Sequence, residues 1–83
     1  MVYDLLFSET FKKQFSKLEK MLQQRIISGL ERIRIRPEYF VKRLVGSPYY
    51  RLRVGDYRII IDIQKDKLIL FVIELGHRKN IYK

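Results

Sequence analysis

Apolar residues recur along this chain with two different periods, and the change from one to the other divides it. Residues 2–7 form a short, mostly apolar run of strand length, after which Ser8 and Glu9 supply a helix N-cap and an acidic first turn. A helix is therefore expected to begin near Glu9. Phe11, Phe15, Leu18 and Leu22 follow at intervals of 4, 3 and 4 residues, which puts them on one face, while Lys12, Lys13, Lys17 and Lys20 fall largely elsewhere. A second phase, Leu22, Ile26, Leu30 and Ile33, runs on to about Arg36, where Pro37 is expected to end it by pushing the preceding residue out of the helical region. One bent helix over residues 9–36 would outrun the core available to it, so an antiparallel hairpin broken near residues 19–22 is the favoured reading.

From Tyr49 the period becomes two. Tyr50, Leu52 and Val54 alternate with Tyr49, Arg51 and Arg53, and Gly55-Asp56 marks a tight turn into residues 57–63, which are rich in β-branched side chains. Gln64 to Lys67 form a second polar turn, and residues 68–75 make a nearly continuous apolar run, as expected of a strand covered on both faces near the middle of a sheet. Gly76 is expected to interrupt that run and leave residues 76–80 exposed. The predicted fold class is α+β, with an N-terminal strand and a two-helix hairpin packed on one face of a mostly antiparallel sheet, in the order βααβββ. No linker-like stretch, repeat or low-complexity segment appears, so residues 1–83 read as a single domain.

Composition narrows the chemistry. The 83 residues include no cysteine and one histidine, which leaves no disulfide framework, no thiolate nucleophile and little basis for a Cys- or His-built metal site. No run approaches the roughly 18 apolar residues of a membrane span and no basic leader precedes one, so the cytoplasm is the expected location and a membrane is not an expected partner. The four glycines are isolated, so no phosphate-cradling loop is built, and no Ser-His-Asp arrangement appears. No cofactor and no metal are expected. Against this stands a charge of +9 from 18 Lys and Arg over 9 Asp and Glu, on a chain that is 47% apolar. That field belongs to a folded surface, and its natural targets are polyanions.

The alternation shows where part of the charge falls. Arg51 and Arg53, two residues apart on one strand, project from the same face about 7 Å from each other. Arg58 alternates with Tyr57, Ile59 and Ile61, so it is expected to point away from the helices and lie beside Arg51 or Arg53; Arg78 follows the last strand. Guanidinium groups clustered with Tyr49 and Tyr82 suit phosphate binding and base stacking on single-stranded RNA. The competing reading is a solvated sheet face whose arginines pair with Asp56, Asp62 and Glu74. A second basic run, Arg32, Arg34, Arg36, Lys42 and Arg43, offers further RNA or ribosome contacts, although cations at a helix C-terminus are also favoured by its dipole. His77 and Lys79 add candidate RNA contacts, and His77, the one histidine, is a candidate general acid or base. Cleavage of RNA by its own 2′-OH needs only orientation, charge stabilisation on phosphorus and proton movement, which such a cluster can supply without a metal.

Tyr50-Arg51-Leu52-Arg53-Val54-Gly55-Asp56-Tyr57-Arg58-Ile59-Ile60, followed by residues 70–82 from Leu70-Phe71-Val72 through Gly76-His77-Arg78 to Ile81-Tyr82, resembles the RelE/ParE toxin superfamily, closest to the RelE side. The Lys42-Arg43-Leu44 element before Gly46 is similar to it as well. The resemblance implies a toxin of a type II toxin-antitoxin system, a metal-independent endoribonuclease that cleaves mRNA in the ribosomal A site and is neutralised by a small, acidic or amphipathic RelB-like antitoxin. It implies that Arg58 and Arg78 stabilise the phosphate in the transition state, that Tyr82 helps activate the 2′-OH, and that Arg51 and Arg53 position RNA at places where RelE often carries lysine. Arginine there weakens any proton-donating role, because a guanidinium does not give up its proton in a protein. Two other readings remain open on sequence: ParE-like inhibition of DNA gyrase, and a non-catalytic RNA- or ribosome-binding module.

Overall fold

The computed structural model describes residues 1–77. Eight elements follow one another: β1 (Asp4–Phe7), α1 (Glu9–Ser16), α2 (Lys20–Arg32), a 3-10 turn (Pro37–Tyr39), β2 (Lys42–Arg43), β3 (Tyr50–Val54), β4 (Tyr57–Gln64) and β5 (Ile69–His77). The strands form one five-stranded sheet in the order β1-β5-β4-β3-β2, antiparallel except where β1 runs parallel to β5. The α+β arrangement expected from the periodicity is the one observed.

Ser8 opens α1 as expected, its hydroxyl accepting the Phe11 N–H at 3.0 Å. The hairpin turn comes at residues 17–19, slightly before the expected break, and the Gln23 side chain closes it by donating to the Phe15 carbonyl at 2.9 Å. Helix α2 ends at Arg32, five residues before Pro37. The chain is diverted there because Arg34 and Tyr3 claim each other: the Tyr3 N–H donates to the Arg34 carbonyl at 2.8 Å and the Arg34 Nε donates to the Tyr3 carbonyl at 2.7 Å. Pro37 instead occupies the first turn of the 3-10 segment, where its missing N–H costs nothing.

Both helices cover one sheet face. Phe11, Ile26, Leu30 and Ile33 pack over Leu52, Ile59, Ile61, Leu70, Val72 and Leu75, with Tyr50, Val54, Tyr57 and Ile63 partly buried at the margin. Phe7, Phe11 and Phe15 stack in series at centroid distances of 5.3 and 5.4 Å. Gly29 lets α2 sit close to β3, since a Cβ there would stand 3.2 Å from the Val54 methyl. Gly55, at φ +58°, makes the β3-β4 turn.

Two sheet features depart from the sequence reading. The two-residue strand β2 adds a fifth strand beside β3, too short for any period to reveal. Gly76 and His77 belong to β5 rather than to an exposed segment, paired with Arg58 and Tyr57 respectively. A bulge interrupts the β4-β5 register: Ile60 faces Glu74 and Ile61 faces Val72, leaving Ile73 as the extra residue. Beyond it β1 has already ended, and α1 takes over its pairing role. The Ser8 hydroxyl donates to the Ile73 carbonyl, and the Gln14 Oε1 accepts the Leu75 N–H at 2.7 Å. Side chains of one helix thus continue the ladder that holds the last turn of sheet before Gly76.

Candidate active site

The face of the sheet turned away from the helices carries the candidate site. Directly opposed residues share a face, so the register fixes its composition. One rung reads Lys42, Arg51, Ile60, Glu74 across β2, β3, β4 and β5; the next reads Arg53, Arg58, Gly76 across β3, β4 and β5. Because Leu52 and Ile59 on the intervening rung are core residues, these two rungs point the other way. The expected cluster of Arg51, Arg53 and Arg58 is therefore assembled, and β2 brings Lys42 into it.

The burial of its members differs. Arg53 and Lys42 are exposed and Arg51 is half-buried, whereas Arg58 is only 7% exposed, with Nε and Nη1 shielded from solvent. Ile60 is 6% exposed although it lies outside the helix-side core, between Arg51 and Glu74 on its rung. Gly76 places no side chain opposite Arg58, the most deeply set guanidinium of the cluster. Glu74 and Asp62 share the face, and Asp62 accepts from the Gln64 amide at 3.0 Å.

Other candidates fall elsewhere. His77 pairs with Tyr57, whose ring packs against the core, and the two rings meet edge-to-face at 5.5 Å. His77 is thus on the helix side of the sheet, away from the arginine rungs, because its position follows Leu75 by two residues. Arg34 is consumed structurally: besides the Tyr3 carbonyl, it reaches Glu31 at 2.9 Å and Asp4 at 3.8 Å. These bonds make it a tie between β1 and the end of α2. Arg36 is exposed ahead of the 3-10 turn. Arg43 opposes Tyr50 on the helix side of the sheet, its guanidinium 5.8 Å from that ring and its Nε donating to the Ser47 carbonyl at 3.3 Å. Arg78, Lys79 and Tyr82 lie outside the described residues. Among the described residues no group of three or more His, Asp or Glu side chains is arranged to hold a metal ion, and no helix is long and apolar enough to cross a membrane.

A small sheet with a helical hairpin on one face and a cationic, open second face is the form of a class of compact toxins. Residues 5–82 match the family model described as the ParE toxin of type II toxin-antitoxin system, parDE, and the chain belongs to that family. Among curated proteins it is similar to the mRNA interferase toxin RelE of Escherichia coli, with 28% identity over 95% of this chain and 86% of the relative. It is also similar to the toxin RelE3 of Methanocaldococcus jannaschii, with 32% identity over 94% and 93% of the two chains. Solved structures agree. An E. coli RelE mutant in the free state superposes with a TM-score of 0.82 at 28% identity, covering 98% of this chain and 88% of that one. The RelE of a RelE-RelB complex from Pyrococcus horikoshii OT3 gives a TM-score of 0.81 at 25% identity, covering 96% and 99%.

Proposed function

We propose that this chain is the toxin of a type II toxin-antitoxin system and acts as a ribosome-dependent endoribonuclease, cutting mRNA in the A site and so stopping translation. The observation that carries the reading is two like-charged cross-strand pairs on one face. Lys42 directly opposes Arg51 and Arg53 directly opposes Arg58, side by side on one face. Like charges directly opposed across strands are destabilising. A fold that keeps two such pairs together has a surface shaped for a polyanion, and local conflicts of this kind concentrate at functional sites.

The chemistry follows from the placement. The 2′-OH of the RNA attacks its own phosphorus, so the protein needs to orient the backbone and hold the charge that develops on the phosphoryl oxygens. Arg58, fixed in a shielded position, is suited to that charge, with Arg78 as its partner. Arg51 and Arg53 grip the neighbouring backbone, and Tyr82 assists removal of the 2′-OH proton. The reaction requires no metal in this reading. It takes place in the cytoplasm, where the ribosome presents the mRNA. A small RelB-like antitoxin, acidic or amphipathic, neutralises the protein by covering this basic surface, folding onto it as it binds.

The test is translation of a defined mRNA in a matched cell-free system with primer extension. New 5′ ends at the A-site codon, lost with Arg58→Ala, are expected. Arrest without new ends would mean a non-catalytic ribosome binder, and inhibition of gyrase supercoiling by the purified protein without cleavage would place it with ParE by target as well as by family.

A further inference from the structure

Rupture of the P–O5′ bond leaves an alkoxide that needs a proton, and the two arginines of β3 are unfit to give one. Guanidinium does not deprotonate in proteins, whereas an ammonium is a competent acid. Among the described strand residues, Lys42 is the one lysine on the open face. It stands directly opposite Arg51, at a distance where the two Cβ atoms are about 5 Å apart, and it is a diagonal neighbour of Arg53 at about 7–8 Å, within reach of long side chains. Arg53 in turn opposes Arg58. A phosphodiester gripped by Arg53 and Arg58 therefore has an exposed ammonium one diagonal step away, beside Arg51. Among the described residues, the other groups on this face do not compete for the role. Glu74 and Asp62 are carboxylates, suited to accept a proton, Tyr49 precedes β3 on the far side of Arg51 from Arg53, and His77 is on the other side of the sheet.

We infer that Lys42 is the general acid of the cleavage, delivering the proton to the 5′ oxygen from β2 in place of a lysine on β3. The inference rests on the nuclease reading above. The step balances: the 2′ oxygen bonds to phosphorus as its proton passes to a base, the P–O5′ bond breaks, and the Lys42 ammonium transfers a proton to the departing oxygen. The products are a 2′,3′-cyclic phosphate and a 5′-OH, and the neutral amine regains its proton from water. The register explains the exchange of places, since Lys42 and Arg51 occupy the same rung and either strand can bring an amine to the same region of the face.

Single-turnover cleavage of two ribosome-bound mRNAs tests this, one with the ordinary linkage at the scissile position and one with sulfur replacing the bridging 5′ oxygen. A thiolate leaves without a proton. Lys42→Ala and Lys42→Arg are both expected to slow the oxygen substrate by about 10²- to 10⁴-fold and to cut the sulfur substrate within about threefold of the wild-type rate. Full activity of Lys42→Arg on oxygen would overturn the assignment by showing that charge alone suffices. So would an equal loss on both substrates, which marks a binding contact, or no loss for Lys42→Ala. Lys42 is exposed, so both variants are expected to fold, which thermal unfolding checks. Wild-type protein that leaves both RNAs intact would overturn the nuclease reading and the acid with it.

Discussion

Replacing Gln14 with methionine tests whether α1 really completes the sheet. The Gln14 Oε1 accepts the Leu75 N–H at 2.7 Å, and Leu75 is 3% exposed. Methionine has similar length and good helix propensity, so the helix itself is little affected. What changes is that a buried backbone donor loses its acceptor. An orphaned group of this kind costs about 1–3 kcal/mol, and a central value of about 2 kcal/mol lowers the melting temperature of so small a domain by roughly 8–16 °C. Thermal unfolding followed by circular dichroism measures the shift, and hydrogen exchange at the Leu75 amide locates it. Gln14→Glu, which keeps an acceptor oxygen, is expected to stay closer to the wild type at neutral pH. The consequence extends to function, because this bond holds the strand segment that leads into Gly76 opposite Arg58. An unchanged melting temperature together with an equally protected Leu75 amide would refute the claim that α1 substitutes for the missing strand.

Arg34→Ala is expected to lose about 1–2 kcal/mol of stability through its bonds to the Tyr3 carbonyl and Glu31, measured by chemical denaturation, while the RNA cleavage rate of the folded fraction stays close to wild type. The Lys65 ammonium, 2.7 Å from Glu38, holds that carboxyl below its ordinary value of 4.5, and Glu38 in turn raises Lys65 above 10.5. The pair's small, solvent-screened stabilisation should therefore be fully present at neutral pH. It should fade as pH falls through the lowered Glu38 value, or rises through the raised Lys65 value. Melting curves of wild type and Glu38→Gln should converge in acid, and a gap that widens there would contradict this. Gly55→Ala, forced to φ +58°, is expected to destabilise the β3-β4 turn by about 1 kcal/mol in the same assay.

Period and parity made most of the architecture readable. The alternation of Tyr50, Leu52 and Val54 with Arg51 and Arg53 gave both the core face and the cationic face of β3, and the same parity carried Arg58 to its place. What escaped had its cause in contacts distant along the chain. Helix α2 stops at Arg32 because Tyr3 engages Arg34, thirty-one residues away, and nothing local marks that stop. Strand β2 spans two residues, which no periodicity can register, so Lys42 read as part of a basic run near a helix end rather than as the neighbour of Arg51. Gly76 looked like a breaker, yet β5 passes through it because β4 and the Gln14 side chain both hold the backbone nearby. His77 was misplaced for the same reason: once Gly76 is in the strand, parity with Leu75 sends His77 toward Tyr57 and away from the arginines. Arg34 shows the limit of counting charges, since a cation near a helix end can be consumed by the chain itself.

Arg34 and Arg58 each carry one positive charge, and they differ in the face they occupy. Single-turnover cleavage of a ribosome-bound mRNA by Arg58→Ala and Arg34→Ala therefore bears most directly on the claim that the open sheet face is the active site. A rate about 10²- to 10³-fold lower for Arg58→Ala, with Arg34→Ala within a few-fold of wild type, is the predicted result. Equal losses in the two variants would show that net charge, not the arrangement of the two rungs, drives the activity, and would contradict the account.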